Sequence, residues 1–204
     1  MDAAPAKALA AFGFLTVLES AEHGLFGGYL VLSPQGRPLE FRCSTPVAAS
    51  RAQEILYGPT LRPYLFAEVI GRALVAGAEL DAAVILTDQP DMLPLALLRH
   101  EEILLVQEAN VGATTFSLSA SSADAASDVE LAEPSTSASL IINGCEIIAS
   151  PASTKSPEEI AALLEPLAAN VYLAEPFQRI RAALNEAQLA SHDDAESTHD
   201  RAAA

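Results

Sequence analysis

Apolar and polar positions at the start of the chain follow the pattern of three short β-strands. The runs are 12–19 (FGFLTVLE), 25–32 (LFGGYLVL) and 38–43 (PLEFRC), and each is bounded by polar or turn-forming residues. The segment between the second and third runs, Ser33-Pro34-Gln35-Gly36, has the residues that a type I turn prefers. The pattern therefore predicts an antiparallel three-stranded meander.

Helical and strand-like patterns alternate after the meander. Segments 50–57 and 60–77 have candidate caps and apolar positions at helical spacing. Residues 81–88 (DAAVILTD) are almost wholly apolar, which is typical of a strand covered on both faces. A short helix over 90–100 and a strand over 102–107 complete the order β-β-β-α-β-α-β, so the sequence predicts an α/β fold with a mixed sheet.

The composition divides the chain into four parts. Residues 1–109 hold the α/β core, and residues 110–138 are rich in Ser, Ala, Thr and acids, with too little apolar bulk to offset the entropy of ordering a backbone. Residues 139–190 regain a core-forming pattern, whereas 191–204 lose it again. We therefore expect a disordered polar insertion and a disordered acidic tail around one domain.

Local motifs predict the secondary-structure elements of residues 139–190. Asn143-Gly144 lies between two β-rich halves and predicts a hairpin. Ser156 with Glu159 has the form of a capping box, with Pro157 at the first helical position. Pro176 opens a final helical pattern. These elements complete the same domain as a hairpin and a C-terminal helical pair.

Charge and cysteine usage limit the function classes. The 204-residue chain is 50% apolar and carries a formal net charge of −16, which disfavours nucleic acid as a partner because a polyanion would be repelled. Cys43 and Cys145 are far apart and form neither a disulfide framework nor a zinc motif. No run approaches the roughly 20 apolar residues of a membrane span. We expect a cytoplasmic protein with no membrane partner.

The element order, together with the placement of several residues, resembles the ribonuclease H-like superfamily over residues 12–109. Glu19 ends the first strand, Gly27-Gly28-Tyr29 opens the second, Glu54 lies in the first helix, and Thr87-Asp88 closes the fourth strand. Motifs for dinucleotide binding, P-loop hydrolysis, serine hydrolysis and zinc proteolysis are absent. The resemblance implies a three-stranded meander followed by alternating helices and strands.

The same resemblance implies a possible metal site. Glu19, Glu54 and Asp88 would converge on Mg²⁺ as the catalytic and metal-binding groups of a nuclease or phosphodiesterase. Ordinary roles stay open for each acid: Glu19 as a solvated strand end, Glu54 as a partner of Arg51, and Asp88 as the cap of the following helix. Nuclease activity is therefore the alternative function, and otherwise no cofactor is expected.

A non-catalytic role explains the sequence without requiring that its carboxylates form a metal site. An acidic α/β domain that lacks catalytic motifs fits a protein-interaction or regulatory component, and self-association stays open. Four aromatic residues are candidates for a partner-docking patch if they are exposed together: Phe26, Tyr29, Tyr57 and Tyr64. They are equally compatible with the core. The partner's identity does not follow from the residues.

Overall fold

A single mixed β-sheet forms the centre of the molecule. The structure is a computed structural model that describes residues 10–20, 24–109 and 139–187. The sheet has seven strands: β1 (Phe12–Ser20), β2 (Gly24–Leu32), β3 (Pro38–Cys43), β4 (Val84–Thr87), β5 (Glu102–Glu108), β6 (Ser139–Ile142) and β7 (Cys145–Ala149).

The strand order is β3-β2-β1-β4-β5-β7-β6. Strands β1, β2 and β3 pair antiparallel in sequence order, and β1, β4 and β5 are parallel to one another. The β6–β7 hairpin adds antiparallel to β5. Because β1, β4 and β5 run in one direction, their carboxyl ends meet at one edge of the sheet.

Helices other than the first cover both faces of this sheet. The helices are α1 (Arg51–Tyr57), α2 (61–76), α3 (Pro157–Ala168) and α4 (175–187), and a 3₁₀ segment (Pro90–Leu97) joins β4 to β5. The middle of α2, Tyr64–Gly71, has the wider π-helical winding. No helix within the described residues is long and apolar enough to span a membrane. The chain is therefore an α/β protein with a seven-stranded mixed sheet.

Two apolar clusters lie on opposite faces of the sheet. On the α4 face, Phe14 and Leu86 pack against side chains of α3 and α4 that include Phe177. On the α2 face, Leu15 and Ile85 pack against α2 and the 3₁₀ segment. The faces alternate residue by residue because successive side chains of a strand point to opposite sides.

Two adjacent glycines in β2 let helices approach both faces at one point. A Cβ added to Gly27 would lie 2.1 Å from Cγ2 of Ile70 in α2, and one added to Gly28 would lie 2.3 Å from Cγ2 of Ile180 in α4. Real Cβ atoms do not approach a methyl group so closely. Both helices therefore pack directly on the β2 backbone.

Local turn and cap signals are confirmed. Asn143 and Gly144 both have positive φ, 50° and 79°, which is the backbone of a two-residue hairpin turn. Ser156 caps α3, and the Glu159 side chain reciprocates by accepting from the Ser156 backbone N–H. Ser50 caps α1 as predicted. The predicted insertion 110–138 and tail 191–204 lie outside the described residues.

Two predicted elements differ from the observed ones. The strand predicted over 81–88 is limited to Val84–Thr87, because only these residues pair with both β1 and β5. The segment predicted as a helix over 90–100 is the 3₁₀ segment, and Pro94 inside it lacks the N–H that an α-helical hydrogen bond requires.

The Glu40 carboxylate in β3 holds the segment that follows α2. It accepts hydrogen bonds from the backbone N–H groups of Glu79 and Leu80 at 3.0 Å, and Arg42 lies 3.5 Å away. Partial burial by itself would raise the pKa of Glu40, but these donors together lower it below its ordinary value of 4.5. The charged form of Glu40 therefore ties β3 to the chain between α2 and β4.

We expect Gly28→Ala to destabilise the protein by about 1–3 kcal/mol, because the added methyl group overlaps Ile180. Urea denaturation followed by circular dichroism measures the change. Combining Gly28→Ala with Ile180→Ala should cost clearly less than the sum of the single changes, since the truncation removes the overlapping atom. Ser139→Val, on an exposed edge strand, is the control and should change stability by about 0.5 kcal/mol or less. Additive effects of the pair would contradict the close contact.

Glu40→Gln should make the free energy of unfolding less dependent on pH in the acid range. A carboxylate whose pKa is lowered on folding stabilises the native state above its unfolded pKa, and this contribution disappears as the pH falls through the folded pKa. Wild type should therefore exceed Glu40→Gln in stability at neutral pH, and the two should converge as the pH falls below 4.5 and through the lowered pKa of Glu40. Urea titrations across this range test the expectation, and a constant difference at all pH values would contradict it.

Candidate functional site

The carboxyl ends of the parallel strands are the first place to look for a site. Ligands of open α/β sheets commonly bind outside these ends. Here β4 ends at Thr87 and β5 at Glu108, while β1 continues from Leu15, which pairs with Thr87, to Ser20. Thr16 and Asp88 follow this pair on the neighbouring strands and lie side by side.

Asp88 is held by one residue from β1 and one from α4. The Thr16 hydroxyl donates to Oδ1 of Asp88 at 2.7 Å, and the Arg181 guanidinium forms an ion pair with Oδ2. The Asp88 side chain is 16% exposed and that of Arg181 is 35% exposed. The half-buried pair joins β4 to α4 across 93 positions of sequence.

This arrangement corrects the ordinary role expected for Asp88. The side chain does not cap the segment after β4: Gln89 is at the N-cap position, and the 3₁₀ segment has no side-chain cap. The Gln89 amide instead donates to the Val17 carbonyl at 3.1 Å, and the Gln89 backbone N–H donates to the Thr87 hydroxyl. Because Gln89 anchors the chain after β4, the Asp88 side chain can point towards α4.

A cavity of about 300 Å³ lies beside this ion pair, and we call it the carboxyl-edge cavity. Asp88 and Arg181 line it together with Glu108 at the end of β5. Val106 and Phe177 border it, but both are almost completely buried and present little surface to it. The remaining lining residues are Ala174 and the amides Gln107 and Gln178. The cavity thus presents charged groups of both signs, from Asp88, Glu108 and Arg181.

Glu19 belongs to the other face of the sheet. Its carboxylate pairs with Nη1 of Arg62 in α2 at 2.9 Å, and Nε of the same arginine pairs with Asp91 at 2.9 Å. The Arg62 guanidinium also lies 4.6 Å from the ring centre of Phe66. Leu15 on β1 pairs with Thr87 on β4, and Glu19 lies four residues beyond Leu15. Glu19 is therefore roughly 13 Å further along the sheet than Thr87.

The three acids proposed as metal ligands are not brought together. Glu54 pairs with Arg51 at 2.7 Å on the exposed surface of α1, the ordinary role expected for it. Glu19 and Asp88 pair with Arg62 and Arg181 on opposite faces of the sheet. Within residues 10–20, 24–109 and 139–187, no group of three His, Cys, Asp or Glu side chains is placed to hold a metal ion.

The four aromatic residues considered for docking are also separated. Phe26 is 8% exposed and Tyr29 is 1% exposed, so both are packing residues. The Tyr29 hydroxyl lies over Gly13, which has no side chain in its way, and burial raises the pKa of Tyr29 far above its usual range. Tyr57 and Tyr64 are half-buried and stack with ring centres 4.5 Å apart. No common patch of the four is formed.

Two of the exposed large apolar side chains, Ile55 and Leu56, are neighbours on α1. They are 69% and 81% exposed, and no residue of α1 is buried. The helix is nevertheless well defined at its start by the reciprocal Ser50–Gln53 capping box. The sequence offered one signal for this surface: the run Glu54–Tyr57 places two large apolar residues beside each other in a helix too short to bury both.

Comparison of the sequence with protein-family models gave no match, and comparison with curated proteins gave none either. The function must therefore be inferred from the chain's own residues.

Asp88→Asn should destabilise the protein by about 1–3 kcal/mol, because it leaves the half-buried Arg181 charge without its partner. Glu54→Gln is the matched control: it removes a carboxylate from the exposed pair with Arg51, and we expect a change below about 0.5 kcal/mol. Urea denaturation of both variants provides the comparison. Equal, small losses of unfolding free energy would show that the Asp88–Arg181 pair stabilises the protein no more than the exposed Arg51–Glu54 pair does.

Proposed function

We propose that the protein is a non-catalytic, cytoplasmic interaction component built on a ribonuclease H-like α/β domain, and that α1 is its docking element. The observation that carries the proposal is the exposure of Ile55 and Leu56 on a helix that contributes no buried residue to its own domain. Large apolar side chains grouped on one element are typical of a protein-binding surface.

The way in which α1 is held supports this role. A seven-residue helix is marginal in water, so it needs stabilisation from elsewhere. The capping box at Ser50, the Arg51–Glu54 pair and the stacking of Tyr57 on Tyr64 supply it. Together these contacts present Ile55 and Leu56 to solvent on an ordered helix, which lowers the entropy cost of binding.

Charge favours one class of partner. The chain carries a net charge of −16, so a second copy would be repelled at long range. Most arginines of the described residues are already paired with carboxylates: Arg42, Arg51, Arg62, Arg99, Arg179 and Arg181. A partner must therefore supply the positive charge. We infer a different protein with an apolar groove bordered by basic side chains, into which α1 inserts.

The sheet supports the ribonuclease H-like part of the proposal. The antiparallel β1–β2–β3 pairing followed by parallel β4 and β5 agrees with the element order that the resemblance implies. The metal-dependent alternative has weaker support, because Glu19, Glu54 and Asp88 each pair with a different arginine. Fold-level resemblance by itself does not carry activity.

The double variant Ile55→Ser/Leu56→Ser should abolish partner binding while the domain stays folded. Losing two central apolar contacts should cost about 2 kcal/mol or more of binding free energy, roughly a 30-fold weaker Kd. Stability should fall by no more than about 1 kcal/mol, since both side chains are exposed. Proteins retained by each immobilised full-length variant are quantified by mass spectrometry, and the affinity of the purified partner is then measured by calorimetry.

Leu97→Ser is the matched control, because Leu97 is 77% exposed on the 3₁₀ segment. A partner that docks on α1 should be retained by wild type and Leu97→Ser, lost from the double variant, and released by added salt. Retention that does not differ among the three proteins would contradict the proposal. Self-association of wild type that the double variant lacks would identify a second copy as the occupant instead.

A further inference from the structure

The outer side of β3 is an unpaired backbone edge. β3 is the first strand in the sheet order and pairs with β2 on one side. The Ser44 backbone N–H donates to the Gly27 carbonyl at 2.9 Å, so the backbone groups of Ser44 point towards β2. Because this direction alternates along a strand, the groups of Cys43 and Phe41 point away from the sheet. No residue that the structure describes forms a backbone hydrogen bond with them.

The same edge has an exposed apolar surface on the α4 face. Phe41 pairs with Leu30, which is a buried member of the apolar cluster on this face, but Phe41 itself is 41% exposed. Leu39, at the register shift before Glu40, is 48% exposed. The helix α4 packs closely on β2 at Gly28 and leaves the Phe41 ring partly open to solvent. The apolar cluster therefore reaches the edge of the sheet without being covered there.

The other face of β3 carries one charge of each sign. Glu40 pairs with Val31 and Arg42 with Tyr29, and both of these β2 residues belong to the cluster on the α2 face. Glu40 and Arg42 therefore flank Phe41 on the face opposite to its ring. Opposite charges placed symmetrically about one residue make this strand complementary to an antiparallel copy of itself.

This charge pattern selects one register for such a pairing. Outward backbone groups must meet outward groups, so the allowed antiparallel registers differ by two residues. With Phe41 opposite Phe41 of the second copy, Glu40 of each copy lies opposite Arg42 of the other. The two neighbouring registers place Arg42 opposite Arg42 or Glu40 opposite Glu40, and like charges directly opposite each other are destabilising.

We propose that β3 is the interface of a two-fold symmetric homodimer in which the two β3 strands pair antiparallel with Phe41 at the symmetry axis. The two sheets then form one continuous sheet. Each Phe41 donates its backbone N–H to the Phe41 carbonyl of the second copy. The two rings join the α4-face clusters of both copies across the axis. The interface is separate from α1, so the dimer neither requires nor excludes the docking of a different protein on that helix.

The net charge of −16 opposes the dimer at long range but does not decide its stability at contact. Repulsion between exposed charges is largely screened beyond about 8 Å at 0.15 M salt. At β3, backbone hydrogen bonds and two attractions between Glu40 and Arg42 act over shorter distances than this. Because a single-strand interface is small, we expect a dissociation constant on the order of 10–100 µM.

Sedimentation velocity of the full-length protein tests the proposal over roughly 5–500 µM at 0.15 M salt, which brackets the expected dissociation constant. A thiol reductant is present, so that the exposed Cys43 does not cross-link two copies. Wild type should change from monomer to dimer as its concentration rises, and so should Ile55→Ser/Leu56→Ser, because α1 lies outside the interface. A monomer at the highest concentration, or a dimer that this double variant lacks, would overturn the proposal.

Arg42→Glu tests the register, because it places two carboxylates opposite each other on both sides of the axis. It should weaken dimerisation by about tenfold or more, whereas Arg42→Lys should dimerise like wild type. Arg72→Glu, at an exposed position of α2, makes the same change of net charge and is the control. Equal weakening by Arg42→Glu and Arg72→Glu would contradict the assigned register.

Phe41→Pro tests the backbone pairing. Proline removes the outward N–H and the exposed ring, but the hydrogen bonds between β2 and β3 do not use the Phe41 N–H. The variant should therefore stay monomeric across the whole concentration range, with the circular dichroism spectrum of wild type. A folded Phe41→Pro variant that dimerises as strongly as wild type would show that β3 is not the interface.

Discussion

Close packing on both sides of β2 is the constraint on which the rest of the structure depends. Gly27 and Gly28 leave no side chain between the strand and the helices, so Ile70 and Ile180 rest on the β2 backbone from opposite faces. The position of α4 is thereby fixed to within the size of a methyl group. Arg181 follows Ile180 directly, and this placement brings its guanidinium to Asp88. The carboxyl-edge cavity therefore depends on Gly28, on a strand that does not line it.

The alternation of side chains along the strands divides the acidic residues between the two faces. Thr16 and Asp88 point to the α4 face, while Glu19, three residues after Thr16, points to the α2 face and meets Arg62. Acids that end neighbouring strands converge only if they also share a face. Each face has instead one arginine that binds a strand-end carboxylate, Arg62 for Glu19 and Arg181 for Asp88, and these pairs hold the two acids apart.

Features encoded by neighbouring residues could be predicted from the sequence, and features that depend on distant residues could not. The capping box at Ser156 and the turn at Asn143-Gly144 need only residues within a few positions, and both are confirmed. The pairing of Asp88 with Arg181 depends on how α4 packs, which the local pattern of either segment does not contain. The burial of Tyr29 likewise depends on Gly13 in the neighbouring strand. Aromatic content alone therefore assigned Phe26 and Tyr29, which belong to the core, to a docking surface.

The ion pairing of the arginines determines which charge a partner of α1 meets. An arginine–carboxylate pair has no net charge, so the long-range field of the chain is set by its acidic excess, a formal net charge of −16. A partner that approaches α1 is then selected first by its positive charge and second by its fit to Ile55 and Leu56.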